Sequence, residues 1–371
     1  MNILYIGPYR QVDEWGRKSL SLLRALQKTD HTISSRPIFL SSDMRHTTQI
    51  ETSENICLDN YDVLIQFLLQ PYSIYHGNFN KRIGIFNFET IPYDIPYGEL
   101  TSELLMDEIW VDSDTINTGL KNILKKYSHD VNIITTPPVL NIDDLVESKD
   151  VSIRNPQNGL ENHFIFYYIG NTDQKGGFYE TCMAYLHAFT AGDKVVLLIG
   201  AETSAVNDSI AKIIEDCRKV IKPIKPLSEQ PSINLVTPTN AVLTDAERLA
   251  FHKECDCMVA PSYSVGFNST ILESAIYGNT PIINKQNACY EWLEGKGVWG
   301  IDSYLEVCTG QTPSPTLYRF TGGELWSKPI IKSLTSVMKN VYINKFERDK
   351  KQAESRMLRE YFTTPSYDKV L

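Results

Sequence analysis

Residues 259–284 read VAPSYSVGFNSTILESAIYGNTPIIN, and this run decides the fold. Cys257 to Ala260 is a short apolar strand that stops at Pro261, a residue unable to donate to a central ladder. Ser262 to Asn268 is a polar loop with one glycine. Asn268 or Ser269 can cap a helix whose apolar stripe is Ile271, Leu272, Ala275 and Ile276. Gly278 stops that helix, and Thr280 to Ile283 begins a buried strand. The loop feeds a helix N-terminus, where unpaired N–H groups and roughly half a positive charge favour an anion. Glu273, about one turn into the helix, cannot attract a phosphate but can accept two hydroxyls of a ribose. On spacing alone, a generic α/β unit with a helix-capping loop reads equally well.

The same alternation extends in both directions. Upstream, His163 to Ile169 is a strand, Gly170 to Gly177 a loop containing Lys175, and Ala184, Leu186, Ala188 and Phe189 mark a helix. Lys194 to Gly200 and Ile233 to Val236 are further strands, and Asp245 to Cys255 is a helix. The first half repeats the pattern. Asn2 to Ile6 is a buried strand, Gly7 to Gly16 a loop, and Leu20, Leu22, Leu23, Ala25 and Leu26 form a helix stripe. Gly16 lets backbone approach a ligand, or is a simple turn glycine. Asp62 to Phe67 and Arg82 to Asn87 are strands. Glu89 lies just past the second, at the edge where open α/β sheets bind ligands, though a surface carboxylate would look the same. Polar residues 151–162 read as a linker between a domain over 1–150 and another over 163–345. Helices predicted from about Lys328 to Phe362 close the chain, and 346–371 is expected to return to the first domain.

Pro261-Ser262, Gly266-Phe267, Leu272-Glu273, Gly278 and Pro281 resemble, in order, the C-terminal signature of retaining GT-B glycosyltransferases of glycosyltransferase family 4. Lys175-Gly176 with Ala188-Phe189 is similar to a second signature of that family, and Phe88-Glu89, Pro92, Asp107 to Val111 and Ser113 to a third. The resemblance implies an α/β GT-B fold: two Rossmann-like, doubly wound domains facing a cleft, with a C-terminal helix crossing back to the first. It implies transfer of a sugar, with retention, from a nucleotide sugar to a glycan, a lipid-linked saccharide or a protein. Donor binding would fall to Gly16, Gly170, Asn171, Lys175, Leu243, Ser264, Gly266, Phe267, Asn268, Ser269, Thr270 and Glu273. Backbone near Val242 and Leu243 would face the nucleobase, Lys175 would counter the leaving diphosphate, and Glu89 would act on the acceptor side. The co-substrate would be foremost a UDP- or GDP-sugar, with no metal and no other cofactor. Two departures stand out. The first Glu of the family's usual pair is Val265, and the cation usual near Asn171 is absent.

Composition narrows the alternatives. The chain has 371 residues, 42% hydrophobic and 22% charged, which suits two domains of a globular protein. A net charge of −9 argues against a nucleic-acid partner, although a local basic groove is compatible with it. Seven scattered cysteines, with no secretory leader, read as reduced thiols of a cytoplasmic protein. No apolar run approaches the ~18 residues of a transmembrane span. Two other readings remain: a phage-type glycosyltransferase acting on modified nucleic acid, and a catalytically silent GT-B protein that binds a nucleotide sugar. Acceptor and oligomeric state are open.

Overall fold

Runs of apolar residues without alternation, such as Ile3 to Ile6 and Ile165 to Ile169, must be covered on both faces, which is the condition of a parallel strand between helix layers. The computed structural model describes residues 1–39, 54, 60–68, 73, 77–92, 94–95, 100–141, 152–154, 159–201, 207–236, 243–308, 323–363 and 367. Val242 and residues 151 and 155–158 of the expected linker lie outside these residues. The strands are β1 (Asn2–Gly7), β2 (Thr32–Pro37), β3 (Val63–Phe67), β4 (Lys81–Ile85), β5 (Ile91–Pro92), β6 (Glu108–Val111) and β7 (Asn132–Thr135). They continue as β8 (Phe164–Gly170), β9 (Val195–Ala201), β10 (Ser232–Val236), β11 (Cys257–Ala260), β12 (Ile282–Asn284), β13 (Trp299–Ile301), β14 (Ser303–Val307) and β15 (Glu324–Pro329). The helices are α1 (Glu14–Leu26), α2 (Thr101–Leu104), α3 (Asp114–Lys126), α4 (Phe178–Ala188), α5 (Asn207–Ile221) and α6 (Asp245–Glu254). After them come α7 (Ser269–Ile276), α8 (Ala288–Leu293), α9 (Ile331–Ile343), α10 (Lys345–Arg356) and α11 (Leu358–Thr363).

Two six-stranded sheets result, ordered β2-β1-β3-β4-β6-β7 and β10-β9-β8-β11-β12-β13. Every adjacent pair within them is parallel. In each sheet the strand order reverses once, beside β1 in the first and beside β8 in the second, and such a reversal opens a crevice at the strands' carboxyl ends. These are the two Rossmann-like, doubly wound domains expected.

A third sheet, β14-β15-β5, was not expected. It is antiparallel, and its β15 pairs with β5 from the first half, Leu325 opposite Ile91. The helix expected to start at Lys328 is corrected here: Lys328 lies within strand β15, and the helix begins at Ile331. Nonlocal pairing overrides local pattern at this point, because the residues that complete the ladder lie more than two hundred positions away.

The end of the chain returns to the first domain. Leu358 and Phe362 of α11 pack in the second domain's core. Tyr367 then enters the first domain's core against Trp110, ring centroids 5.7 Å apart, and donates its hydroxyl hydrogen to the Pro137 carbonyl at 2.9 Å. The six described cysteines are buried and free. Among the described residues, no helix is long and apolar enough to cross a membrane.

Candidate functional site

The crevices of the two sheets face each other and form one cleft. Its walls come from the loop after β8, the loop after β11, the first turn of α1 and the segment after β4. Gly177, with φ of 73°, ends the first of these loops. A side chain there would stand 2.2 Å from the Pro261 carbonyl oxygen, so only glycine lets the two loops meet. The meeting fixes Lys175, whose carbonyl accepts from the Tyr263 N–H at 2.9 Å and the Ser262 hydroxyl at 3.0 Å. Asn287 in turn holds the β11 loop, donating to the carbonyls of Ser264 and Gly266 at 3.0 and 2.9 Å.

The domains touch across this loop. A Cβ on Gly266 would lie 2.4 Å from the Phe88 carbonyl oxygen, and the Val265 N–H donates to the Glu89 carbonyl at 2.9 Å. Lys175 Nζ donates to both Glu89 carboxylate oxygens, at 2.8 and 3.0 Å. Burial is the largest influence on this ammonium and disfavours its charge, but Glu89's charge and hydrogen bonds outweigh it, so the Lys175 pKa is raised. At α7, Asn268 caps the helix by accepting from the Ile271 N–H at 3.1 Å. The Ser269 N–H instead donates to Glu14 Oε1 of the first domain at 2.9 Å, and Arg17 Nη2 donates to Thr270 Oγ1 at 3.1 Å.

Of the expected site residues, Glu89, Lys175, Gly170, Asn171, Ser264, Gly266, Phe267 and Asn268 line the cleft together. Ser269 and Thr270 adjoin it, each holding a group of the first domain, as above. Three others lie elsewhere. The Gly16 N–H is taken by the α1 cap residue Asp13 at 2.8 Å, and a Cβ there would meet the Gln11 carbonyl at 2.0 Å. Leu243 is buried in the second domain's core. Glu273 is 4% exposed, with Oε2 2.7 Å from Arg248 Nε and 3.5 Å from His252 Nε2, and Oε1 3.9 Å from Arg17 Nε. Burial alone would raise its pKa, but Arg248, His252 and Arg17 together hold the carboxyl well below the usual range. His252 is pushed the other way, burial favouring its neutral form over the pull of Glu273.

Glu14, Trp15, Asn87, Tyr168 and Asn287 also line the cleft, and the sequence reading missed them. An acid in the first turn of a helix, as Glu14 is, reads as ordinary dipole compensation, so nothing local marks it. Val265 is buried too, packed with Phe86, Phe88 and Ile95 of the first domain rather than facing the cleft.

Comparison with known proteins bears on the architecture. No family description and no curated protein matches the sequence. Solved structures do. A trehalose 6-phosphate synthase from Burkholderia multivorans superposes with a TM-score of 0.64 at 10% identity, over 100% of this chain and 96% of that one. Anabaena HepE, solved with UDP and glucose, gives 0.61 at 11% identity over 98% and 96%. The Escherichia coli trehalose 6-phosphate protein bound to UDP-2-fluoro glucose gives 0.58 at 9% identity over 96% and 95%. The fold is GT-B. Coverage of nearly the whole length on both sides means that both Rossmann-like halves and the cleft between them belong to that architecture.

Proposed function

We propose that the protein transfers a sugar from a nucleotide-sugar donor to an acceptor, with retention of configuration. The observation that carries this reading is the convergence, in one interdomain cleft, of Lys175, the N-terminus of α7 and the Gly266 loop. In such a transfer the bond from the anomeric carbon to the diphosphate oxygen breaks, and its electron pair leaves with the diphosphate. The acceptor oxygen bonds to the same carbon and gives up its proton. The leaving group gains charge in the transition state, so fixed positive groups accelerate the step. Lys175 and the α7 N–H groups fill that role, and Glu89 lies on the acceptor side. Glu273, buried behind the cleft, supports the donor site through its ion pair with Arg248 and its closeness to Arg17, whose Nη2 donates to Thr270 in the first turn of α7. The similar structures solved with UDP or a UDP-sugar make UDP-glucose the first donor to try.

A second reading, a GT-B protein that binds a nucleotide sugar without turning it over, is favoured by one observation: Val265 gives the cleft no carboxylate where the family usually has one. A screen of UDP-, GDP-, ADP- and CMP-sugars separates the readings, with melting temperature and nucleotide release followed together. The expected outcome is a rise in melting temperature with one donor and release of its nucleotide, slowed about 10²–10³-fold by Lys175→Ala. Binding without release, across supplied acceptors, selects the silent protein. Absence of binding by every donor overturns both.

A further inference from the structure

We infer that Glu14 and Glu89 are resident stand-ins for the donor's diphosphate, so that donor binding is an exchange in which these two carboxylates are displaced. This rests on the reading of the cleft as a nucleotide-sugar site and adds how that site is regulated.

Two groups on the second domain's wall suit an anion, Lys175 and the first turn of α7. Each already holds one, and each comes from the other domain. Glu89 takes Lys175 through both carboxylate oxygens. Glu14, from the first turn of α1, takes the Ser269 N–H. A carboxylate oxygen on a helix N-terminal N–H makes the same contact that a phosphate oxygen makes there. The two carboxylates come from separate elements of the first domain and line the same cleft. The Ser269 hydroxyl, 1% exposed at this same helix terminus, makes no hydrogen bond, so the terminus has donor capacity beyond what Glu14 takes.

A diphosphate cannot use these donors while both carboxylates remain, because like charges would sit side by side out of bulk water. The backbone contacts are separate from the side-chain ones. Val265 N–H to Glu89 carbonyl, and Gly266 against Phe88, hold the loops together whatever the carboxylates do. Side-chain rotation therefore suffices for the exchange, and it frees Glu89 on the acceptor side as the diphosphate arrives.

Calorimetric titration of the full chain with UDP, and separately with inorganic pyrophosphate, tests this. The Glu14→Gln variant keeps the side-chain shape and removes the charge, and Glu14→Asp keeps the charge but draws it back from Ser269. Glu89→Gln does for Lys175 what Glu14→Gln does for α7. Each variant's melting curve reports that it is folded. Glu14→Gln and Glu89→Gln are expected to bind UDP about tenfold tighter than the unaltered protein, and the double variant tighter still. Binding by the variants alone supports the exchange equally. If the unaltered protein binds UDP and folded Glu14 variants bind it no more tightly, the exchange is overturned while the donor site stands. If neither the unaltered protein nor any variant binds UDP or pyrophosphate, the donor site and the exchange both fall.

Discussion

Glu273 and Arg248 are a buried ion pair, 4% and 2% exposed, and their energetics differ from those of a surface pair. Removing the carboxylate leaves Arg248 buried with only Asp245, 2.7 Å from its Nη1, to balance it, and leaves Arg17 and His252 facing an uncompensated position. Glu273→Gln is therefore expected to destabilise the fold by about 3–5 kcal/mol, read from denaturant midpoints. Adding Arg248→Met should recover much of that loss, since the charge left behind is then gone. The pair also sets a pH dependence. The folded carboxyl titrates well below its unfolded value of roughly 4.3, so its contribution is complete above that pH. It declines as pH falls from there through the folded pKa. Glu273→Gln should flatten the acid limb of the stability curve, and an unchanged limb would mean other carboxylates control it.

At the scale of elements, the cleft is made by loops whose shapes are set by a few backbone positions. Gly177 is the clearest. Its left-handed φ and the Pro261 carbonyl behind it both exclude a side chain. Gly177→Ala is expected to cost at least about 1–2 kcal/mol and to shift Lys175, lowering donor affinity as well as melting temperature. A variant with native stability and native donor affinity would show that the loops need no such contact. Helix starts were legible because their signals are local: Ser113 accepts from the Ile116 N–H, and Thr244 and Glu247 form a capping box. Strand β15 was not. The run from Lys328 was expected to be helix, and the strand is held by contacts distant in sequence, such as Asn284 donating to the Ser327 carbonyl 43 residues away.

Across the whole molecule, one aromatic ring near the end of the chain joins the second domain to the first. Tyr367 is 3% exposed among residues of the first domain's core. Tyr367→Ala is expected to destabilise that domain by roughly 3–5 kcal/mol, and Tyr367→Phe by about 1 kcal/mol through the lost bond to Pro137. Separate unfolding transitions for the two domains in the Ala variant would be visible by calorimetry. A single unchanged transition would show that the returning segment does not couple them.

The alternation of apolar strand, glycine-bearing loop and helix determined the two Rossmann-like domains, because burial on both faces and helix capping are written in neighbouring residues. It was the resemblance to a known family, carried on short local motifs, that picked out Lys175, Glu89 and the Gly266 to Asn268 loop, all of which line the cleft. Only the tertiary structure decided that Glu273 is paired with Arg248, that Val265 faces a hydrophobic cluster, and that Glu14 reaches α7. The physical reason is distance along the chain. Glu14 and Ser269 stand 255 positions apart, and no periodicity links an acid in one helix's first turn to the amide it will meet in another domain.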